Sequence, residues 1–452
     1  VSAAPPEAPD GDAPRNPWWI PPFLGRVPKI PEQKLRVLGV VGLALLFENY
    51  DQSMLTAALK HIAEDFAVPE SELGRILGSV HFGAMAAFLL VPFADQIGRR
   101  RLFLISILGV SLATFATAFT QSVDQFIVTQ MLARTFMVTC AATAFVIVTE
   151  EFPADHRGWG IGILGALSSF GHGLGLMLFA AIDVLPYGWR ALYLIGALPL
   201  VFLPYFRARI TETERFVRSR EAREARGERP GFLAGWLAPM LGLARAHPWR
   251  TVAVGLVGSL ASAGHAVGFN FSAYHVQTVH GWSPGQYTLM AVLAGLFGVV
   301  GNPYAGRTAD RHGRRVVGFA VLSGFSIFAV AFYHVPGWML PLIWMPMVFT
   351  VTGGNTIVRA IATELFPTSL RGTASGWLQL VEAAGRSGGL FLVYWGTVAG
   401  GSNVPMISMV VFCALGAGFV VLALPETGRR ELEDISNDPV GSGSEPLPGP
   451  IG

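Results

Sequence analysis

Asp51, Arg134 and Arg386 are charged residues set inside apolar runs, FENYDQSML, MLARTFMV and GRSGGLF. An ionised side chain in hydrocarbon costs about 3 kcal/mol or more unless it finds a partner or a wet cavity, so each is an expected functional position. Their chemistries differ. A carboxylate such as Asp51 can take up a proton and become neutral, which makes it a candidate proton carrier. Glu48, three residues earlier, falls on the same helical face and can share that role. A guanidinium does not relay protons but presents a planar pair of donors that fits a carboxylate, so Arg134 and Arg386 are candidate anion ligands. Two structural alternatives stand beside these readings: Asp51 and Arg134 as a fixed ion pair that only holds helices together, and Arg386 neutralised by Glu382 at i−4 on its own helix. His81, His172 and His265 sit at similar depth. Each can titrate near neutral pH, and each can equally be a hydrogen-bonded packing residue. For His172, within GHGLGLM, close packing around small residues is the preferred reading.

The elements that position these groups are spanning helices. The 452 residues are 52% hydrophobic and 14% charged, with a mean hydropathy of +0.49, against about 25% charged in an ordinary soluble domain. A span needs about 20 mainly apolar residues. That criterion predicts twelve, at 37–58, 76–93, 102–120, 123–148, 160–183, 191–206, 251–274, 287–306, 316–333, 336–358, 373–398 and 404–424. The expected fold is an all-α membrane protein of two six-helix bundles. Residues 36–206 form the first bundle and 251–424 the second, joined by a long basic loop at 207–250. A flexible Pro-rich tail occupies 1–35, with no apolar stretch for a signal peptide, and a second tail occupies 425–452. Most of the 32 Lys and Arg fall on the side of the two termini. Lys60, Arg75 and Arg190 fall on the other, which predicts cytoplasmic termini. Counted from that side at 1.5 Å per residue, Asp51, Arg134 and Arg386 each lie about 21 Å up, which implies one shared cavity.

The halves repeat one another. FADQIGRRR (Phe93–Arg101) returns as GRTADRHGRR (Gly306–Arg315), so that Asp310 answers Asp95. TEEFPADHRG (Thr149–Gly158) returns as TELFPTSLRG (Thr363–Gly372), so that Arg371 answers Arg157. Duplicated motifs at nearly constant offset indicate two copies of one six-helix unit related by a pseudo-two-fold axis. At these residues the chain resembles the major facilitator superfamily, whose G-x-x-x-D-x-x-G-R-[RK] signature is met by Gly306, Asp310, Gly313, Arg314 and Arg315. Val91 replaces the leading glycine of the first copy. The E-x-F-P-x-x-x-R-G loops and PETGRRELEDI (Pro425–Ile435) resemble the branch of sugar porters, organic-ion transporters and aromatic-acid:proton symporters; the resemblance covers about 36–436. It implies that Asp51 is the proton position of the first span and that GRSGGLF belongs to the eleventh span of organic-acid symporters. It further implies that the seventh span, GHAVGFNFSAYH, lines the cavity with His265 and Asn270. By the same resemblance Asp95 with Arg99, Glu150 with Arg157, Asp310 with Arg314, and Glu364 with Arg371, joined by Arg359, are pairs that close a cytoplasmic gate.

The expected function is transport of a small organic anion by alternating access, with protons as the coupled ion. A proton-driven drug or metabolite exporter, or a transporter-like sensor, would use the same residues. No cofactor is expected beyond the proton gradient, and no metal: Cys140 and Cys413 lie in apolar runs, and nothing resembles a phosphate-cradling loop or a nucleophile elbow. The expected partners are the solute, protons and membrane lipid, with no nucleic acid and a monomeric protein. A composition rich in Arg and poor in Lys points to a bacterial inner membrane.

Overall fold

The computed structural model describes residues 30–210, 212–213, 216–218, 220–221, 232–367 and 370–427. Nearly all of the two predicted tails and part of the basic loop at 207–250 lie outside the described residues. Within them helices occupy all twelve predicted spans, and no strand occurs. The first half holds α1 (Glu32–Ala57), α2 (Leu59–Asp65), α3 (Leu73–Leu90), α4 (Ala94–Ile97), α5 (Arg99–Thr117), α6 (Val123–Glu151), α7 (Ala154–Phe179), α8 (Trp189–Gly196) and α9 (Pro199–Arg209). After α10 (Phe232–Ala246) the second half holds α11 (Pro248–Asn270), α12 (Ser272–Val279), α13 (Pro284–His312), α14 (Arg314–Phe332), α15 (Leu340–Glu364), α16 (Arg371–Val398) and α17 (Asn403–Ala423).

Eight of the spans are long and apolar enough by composition alone to cross a membrane. The four others are α1, α13, α15 and α16, and they are the ones diluted by polar and small residues: Glu48 and Asp51, Gly301 and Asn302, Gly353 to Thr356, and Glu382 to Arg386. That dilution marks helices that face a cavity rather than lipid. α10 is an apolar helix inside the segment read as a polar loop. At 15 residues it is too short to span, and it packs against α11 and α16, with Leu243 fully buried.

Glycines set the two tightest pairings, α1 with α7 and α11 with α16. A Cβ on Gly171 would meet the Leu46 carbonyl and one on Gly175 would meet Ser53 and Tyr50; in the second half a Cβ on Gly385 would meet the Ser259 backbone and one on Gly389 would meet Ala263. Lipid supplies no hydrophobic drive for helix association, so close backbone approach through small residues is what holds such pairs. Gly385 answers Gly171 and Gly389 answers Gly175 at the same offset by which Arg371 answers Arg157, so the two glycine pairs are in step with the sequence repeat.

Candidate functional site

The hydrogen bonds between the two bundles gather at one end, while at the other α10 reaches Val91–Phe93 of the first half. At the end remote from the termini, Ser387 Oγ donates to the Gly78 carbonyl (2.8 Å), Thr397 Oγ1 to Ser71 (3.2 Å), Asn403 Nδ2 to Glu70 (3.4 Å) and Thr288 Oγ1 to Leu176 (2.8 Å). Asn270, at the C-terminus of α11, accepts at Oδ1 from Thr56 Oγ1 (3.3 Å) and lies 3.3 Å from His81 Nε2, while Gln277 Nε2 reaches the Ala57 carbonyl (3.2 Å). Asn270 is therefore part of the roof that joins the halves, and its carboxamide is not free for a solute. Among the described residues every hydrogen bond between the halves belongs to this end. At the opposite end, the one where α1 begins and α17 finishes, Phe88, Val91, Val138, Ala142, Met240 and Gly376 line a cleft of about 360 Å³.

Above that cleft stand the charged residues. Val138 lies one helical turn from Arg134, and Gln379, also on the cleft wall, lies two turns from Arg386. Arg134 comes from the first half and Arg386 from the second, close enough to act electrostatically on one another and on His81. Neither guanidinium has a hydrogen-bond or ion-pair partner among the described residues, and neither is among the polar groups sealed from contact. Glu382 and Arg359 lie within electrostatic reach of Arg386, but no ion pair forms between Arg386 and Glu382. The fixed-pair alternatives considered from sequence are thus not what the structure holds.

The carboxylates are placed differently. Asp51 is 1% exposed; its Oδ1 accepts from Thr114 Oγ1 of α5 at 3.1 Å, and its Oδ2 is sealed without a partner. Glu48 is also buried, with Oε2 sealed and unpartnered. Both lie within electrostatic reach of Arg134. An orphaned buried carboxylate oxygen is expensive, and a proton is the smallest ligand that relieves it.

His265 packs edge-on against Phe325 at 4.5 Å, with Cε1 beside Gly354 and Nε2 sealed without a partner, while Asn355, exposed on α15, and Arg386 both lie within its electrostatic reach.

The charges at the open end pair within each half. Arg99 Nε meets Glu150 Oε1 at 3.2 Å; Arg314 Nη2 meets Glu364 Oε1 at 3.1 Å and Asp310 Oδ1 at 2.9 Å. The expected partners Arg157 and Arg371 do not take Glu150 and Glu364, and Nε of each lacks a hydrogen bond among the described residues. α6 ends at Glu151 and α7 starts at Ala154, so Glu150 and Arg157 sit on different helices and face different neighbours. The side chain of Asp95 lies outside the described residues, and Arg359 is exposed on α15. None of these pairs bridges the halves while the cavity is open.

Sequence reasoning missed two further members of each cluster. Thr213 Oγ1 donates to Glu150 Oε2 (2.5 Å) and Glu212 accepts the Arg100 amide (3.1 Å); Thr427 Oγ1 donates to Glu364 Oε2 (2.6 Å) and Glu426 accepts the Arg314 and Arg315 amides (2.6 and 3.2 Å). Each glutamate caps the N-terminus of a helix, where orphan amides and the helix dipole favour an anion. The turn before it needs Gly98 (φ 102°) or Gly313 (φ 94°), because a side chain there would run into the carboxylate. The signal was available: the dipeptide Glu212-Thr213 recurs as Glu426-Thr427, again at the offset of the repeat.

Known proteins fit this architecture. A sequence model of the Major Facilitator Superfamily matches residues 41–281 and 256–445. A gallate transporter of Pseudomonas putida is 24% identical over 420 residues, covering 86% of this chain and 91% of its own. The niacin transporter of Acinetobacter baylyi is 26% identical over 462 residues, covering 91% and 99%. Among solved structures, the inward-open xylose transporter of E. coli superposes with a TM-score of 0.67 at 19% identity, covering 89% of this chain and 99% of that one.

Proposed function

The chain belongs to the major facilitator superfamily, a family of transporters and not of enzymes, and we propose that it carries a small organic anion across the membrane together with protons. One observation carries the reading: two guanidiniums, one from each half and within electrostatic reach of each other, have no hydrogen-bond or ion-pair partner among the described residues and lie one and two helical turns from the wall of the cleft. A carboxylate bound there would meet both halves at once, and neutralising the repulsion between Arg134 and Arg386 would favour their approach. Asp51 and Glu48, sealed behind Arg134, are the proton carriers. A proton on Asp51 removes the charge that Arg134 otherwise attends to, which leaves Arg134 available to the solute. Supporting the choice of solute, both sequence relatives are named for carboxylic acids that carry an aromatic ring.

Alternating access follows from the distribution of contacts. The roof of Asn270, Gln277, Ser387 and Thr397 would part as the cavity closes at the other end, and the clusters of Arg99 and Arg314 would there exchange partners between the halves. Lys and Arg placement orients the open end and both termini toward the cytoplasm of a bacterial inner membrane. The protein acts as a monomer, with no cofactor beyond the proton gradient.

The test is uptake of a panel of small carboxylates into proteoliposomes, with and without an inward proton gradient, for wild type and Asp51→Asn. Accumulation that follows the gradient and vanishes in the variant, while solute exchange persists, is the expected result. Accumulation indifferent to the gradient and to the substitution would make Asp51 structural and leave facilitated diffusion, export or sensing.

A further inference from the structure

His172 is unused by this mechanism, yet it holds the same place in the first half that Arg386 holds in the second. Gly171-His172-x-x-Gly175 and Gly385-Arg386-x-x-Gly389 are equivalent under the sequence repeat. In each, the two glycines are pinned against the partner helix, Gly171 and Gly175 on α1, Gly385 and Gly389 on α11. Close packing at two points one turn apart fixes the rotation of a helix, and the residue following the first glycine then projects from the same side of both. The packing that explains the glycines therefore does not explain the histidine.

The rest of α7 shows where that side looks. At 3.6 residues per turn, the large exposed side chains Phe170 and Met177 define one face, as expected against lipid. His172 lies nearly opposite. It shares its face with Gly158, Ile161, Gly165 and Ser169, all exposed, and with Leu176, whose carbonyl accepts from Thr288 of the second half. A Cβ on Gly158, Gly162 or Gly165 would meet nothing within 4 Å. This face is turned toward the second half, as the segment of α16 that carries Arg386 is turned toward the first through Ser387 and Gly78. His172 is exposed there, and among the described residues it has no hydrogen bond, ion pair or ring contact.

We propose that His172 is a second ligand for the transported anion: it receives a hydroxyl group of the solute while Arg386 holds the carboxylate. An imidazole with one N–H and one bare nitrogen is a single donor and a single acceptor, which matches a hydroxyl, also both donor and acceptor. A guanidinium at the symmetric position offers donors only and matches a carboxylate. The site therefore reads two different ends of one molecule, and the favoured class is hydroxylated organic acids. This rests on the organic-anion reading above.

The experiment measures KM and kcat for uptake of 4-hydroxybenzoate and of benzoate by proteoliposomes holding wild type, His172→Ala or His172→Gln. The wild type is expected to favour the hydroxylated acid. His172→Ala raises its KM about tenfold, leaves kcat and the benzoate KM within about twofold, and His172→Gln restores part of the preference, since its amide also donates and accepts. A loss shared equally by both acids, or no loss with either, overturns the role of His172 while leaving organic-anion transport standing. A wild type that takes up neither of these acids but accumulates other carboxylates of the panel overturns the role of His172 alone, and one that accumulates no carboxylate of the panel overturns the organic-anion reading with it.

Discussion

Replacing Asn270 with alanine removes the centre of the roof and leaves its surroundings in place. Asn270 Oδ1 is the meeting point of Thr56 Oγ1 and His81 Nε2, each at 3.3 Å, and both come from the opposite half. A net hydrogen bond is worth about 0.5–1.5 kcal/mol, and these two are at the long end of the range, so about 1–2 kcal/mol is lost for the pair. The bond from Asn270 Nδ2 to the Ala266 carbonyl (2.8 Å) is within one helix and exists in either conformation. At about 1.4 kcal/mol per tenfold, the balance should move toward the outward-open form by roughly 5- to 30-fold, with the Gln277, Ser387, Thr397, Asn403 and Thr288 contacts still resisting. A reporter cysteine at Ala273, fully buried and one turn from Gln277, should react with a membrane-impermeant maleimide from the outer face in proportion, in a background without Cys140 and Cys413. Thr56→Val should give a smaller increase, and adding it to Asn270→Ala should give little more, since both remove the same bond. Unchanged labelling with a weakened solute affinity would refute the roof assignment and restore Asn270 as a ligand.

Three further outcomes follow from the same geometry. Gly313→Ala forces a left-handed φ on a side chain and drives its Cβ into Glu426; a cost of about 1–2 kcal/mol from the backbone alone should lower the Tm in detergent, whereas Gly306→Ala, whose Cβ meets nothing within 4 Å, should not. Thr213→Val and Thr427→Val each remove a hydrogen bond to a carboxylate, at 2.5 and 2.6 Å, worth about 1.5–3 kcal/mol; their effects on thermal stability should match, and a large difference would break the equivalence of the two clusters. Arg386→Ala should raise KM for a transported carboxylate about tenfold or more through loss of a charge-assisted contact, while a uniform loss of folded protein would assign it to packing.

What the sequence discloses about the fold is what duplication and hydropathy can disclose. Twelve apolar runs place twelve spans, and the repeated motifs divide them into two sixes. The same reasoning finds Asp51, Glu48, Arg134 and Arg386, because a charge in an apolar run is conspicuous whatever its orientation. It fails where rotation decides. His265 and Asn270 lie little more than one turn apart on one helix, yet the ring of one packs on Phe325 of its own half and the other reaches across to Thr56 of the opposite half. Glu150 and Arg157 look like partners in sequence, but a helix break between them gives Glu150 to Arg99 instead. α10 escapes detection because an apolar helix of 15 residues within a charged loop satisfies neither the span criterion nor the pattern of a surface helix.

The repeat itself separates scaffold from site. Residues that recur at its offset with their chemistry intact are structural: Gly98 and Gly313 in the turns, Arg99 and Arg314, Glu150 and Glu364, Glu212 and Glu426, Thr213 and Thr427, and the glycine pairs of α7 and α16. Their conformational demands are the same in both halves, so the same residue types answer them. The cavity charges behave oppositely. At the offset that joins Glu150 to Glu364, Glu48 is answered by Ser262, Asp51 by His265, Arg134 by Val348, Glu382 by Ser168 and Arg386 by His172. A pseudo-two-fold axis gives each pair equal placement, so packing alone provides no reason for the two members to differ. A solute has no such axis: its carboxylate lies at one end, and a proton path needs a carboxylate on one side only. The positions at which the halves keep equal geometry and differ in chemistry are therefore where the bound molecule has left its mark. On that criterion His172 belongs with Asp51, Arg134 and Arg386, and Asn270 with Thr56 is the case in which two unlike symmetry mates have become each other's partner at the axis itself.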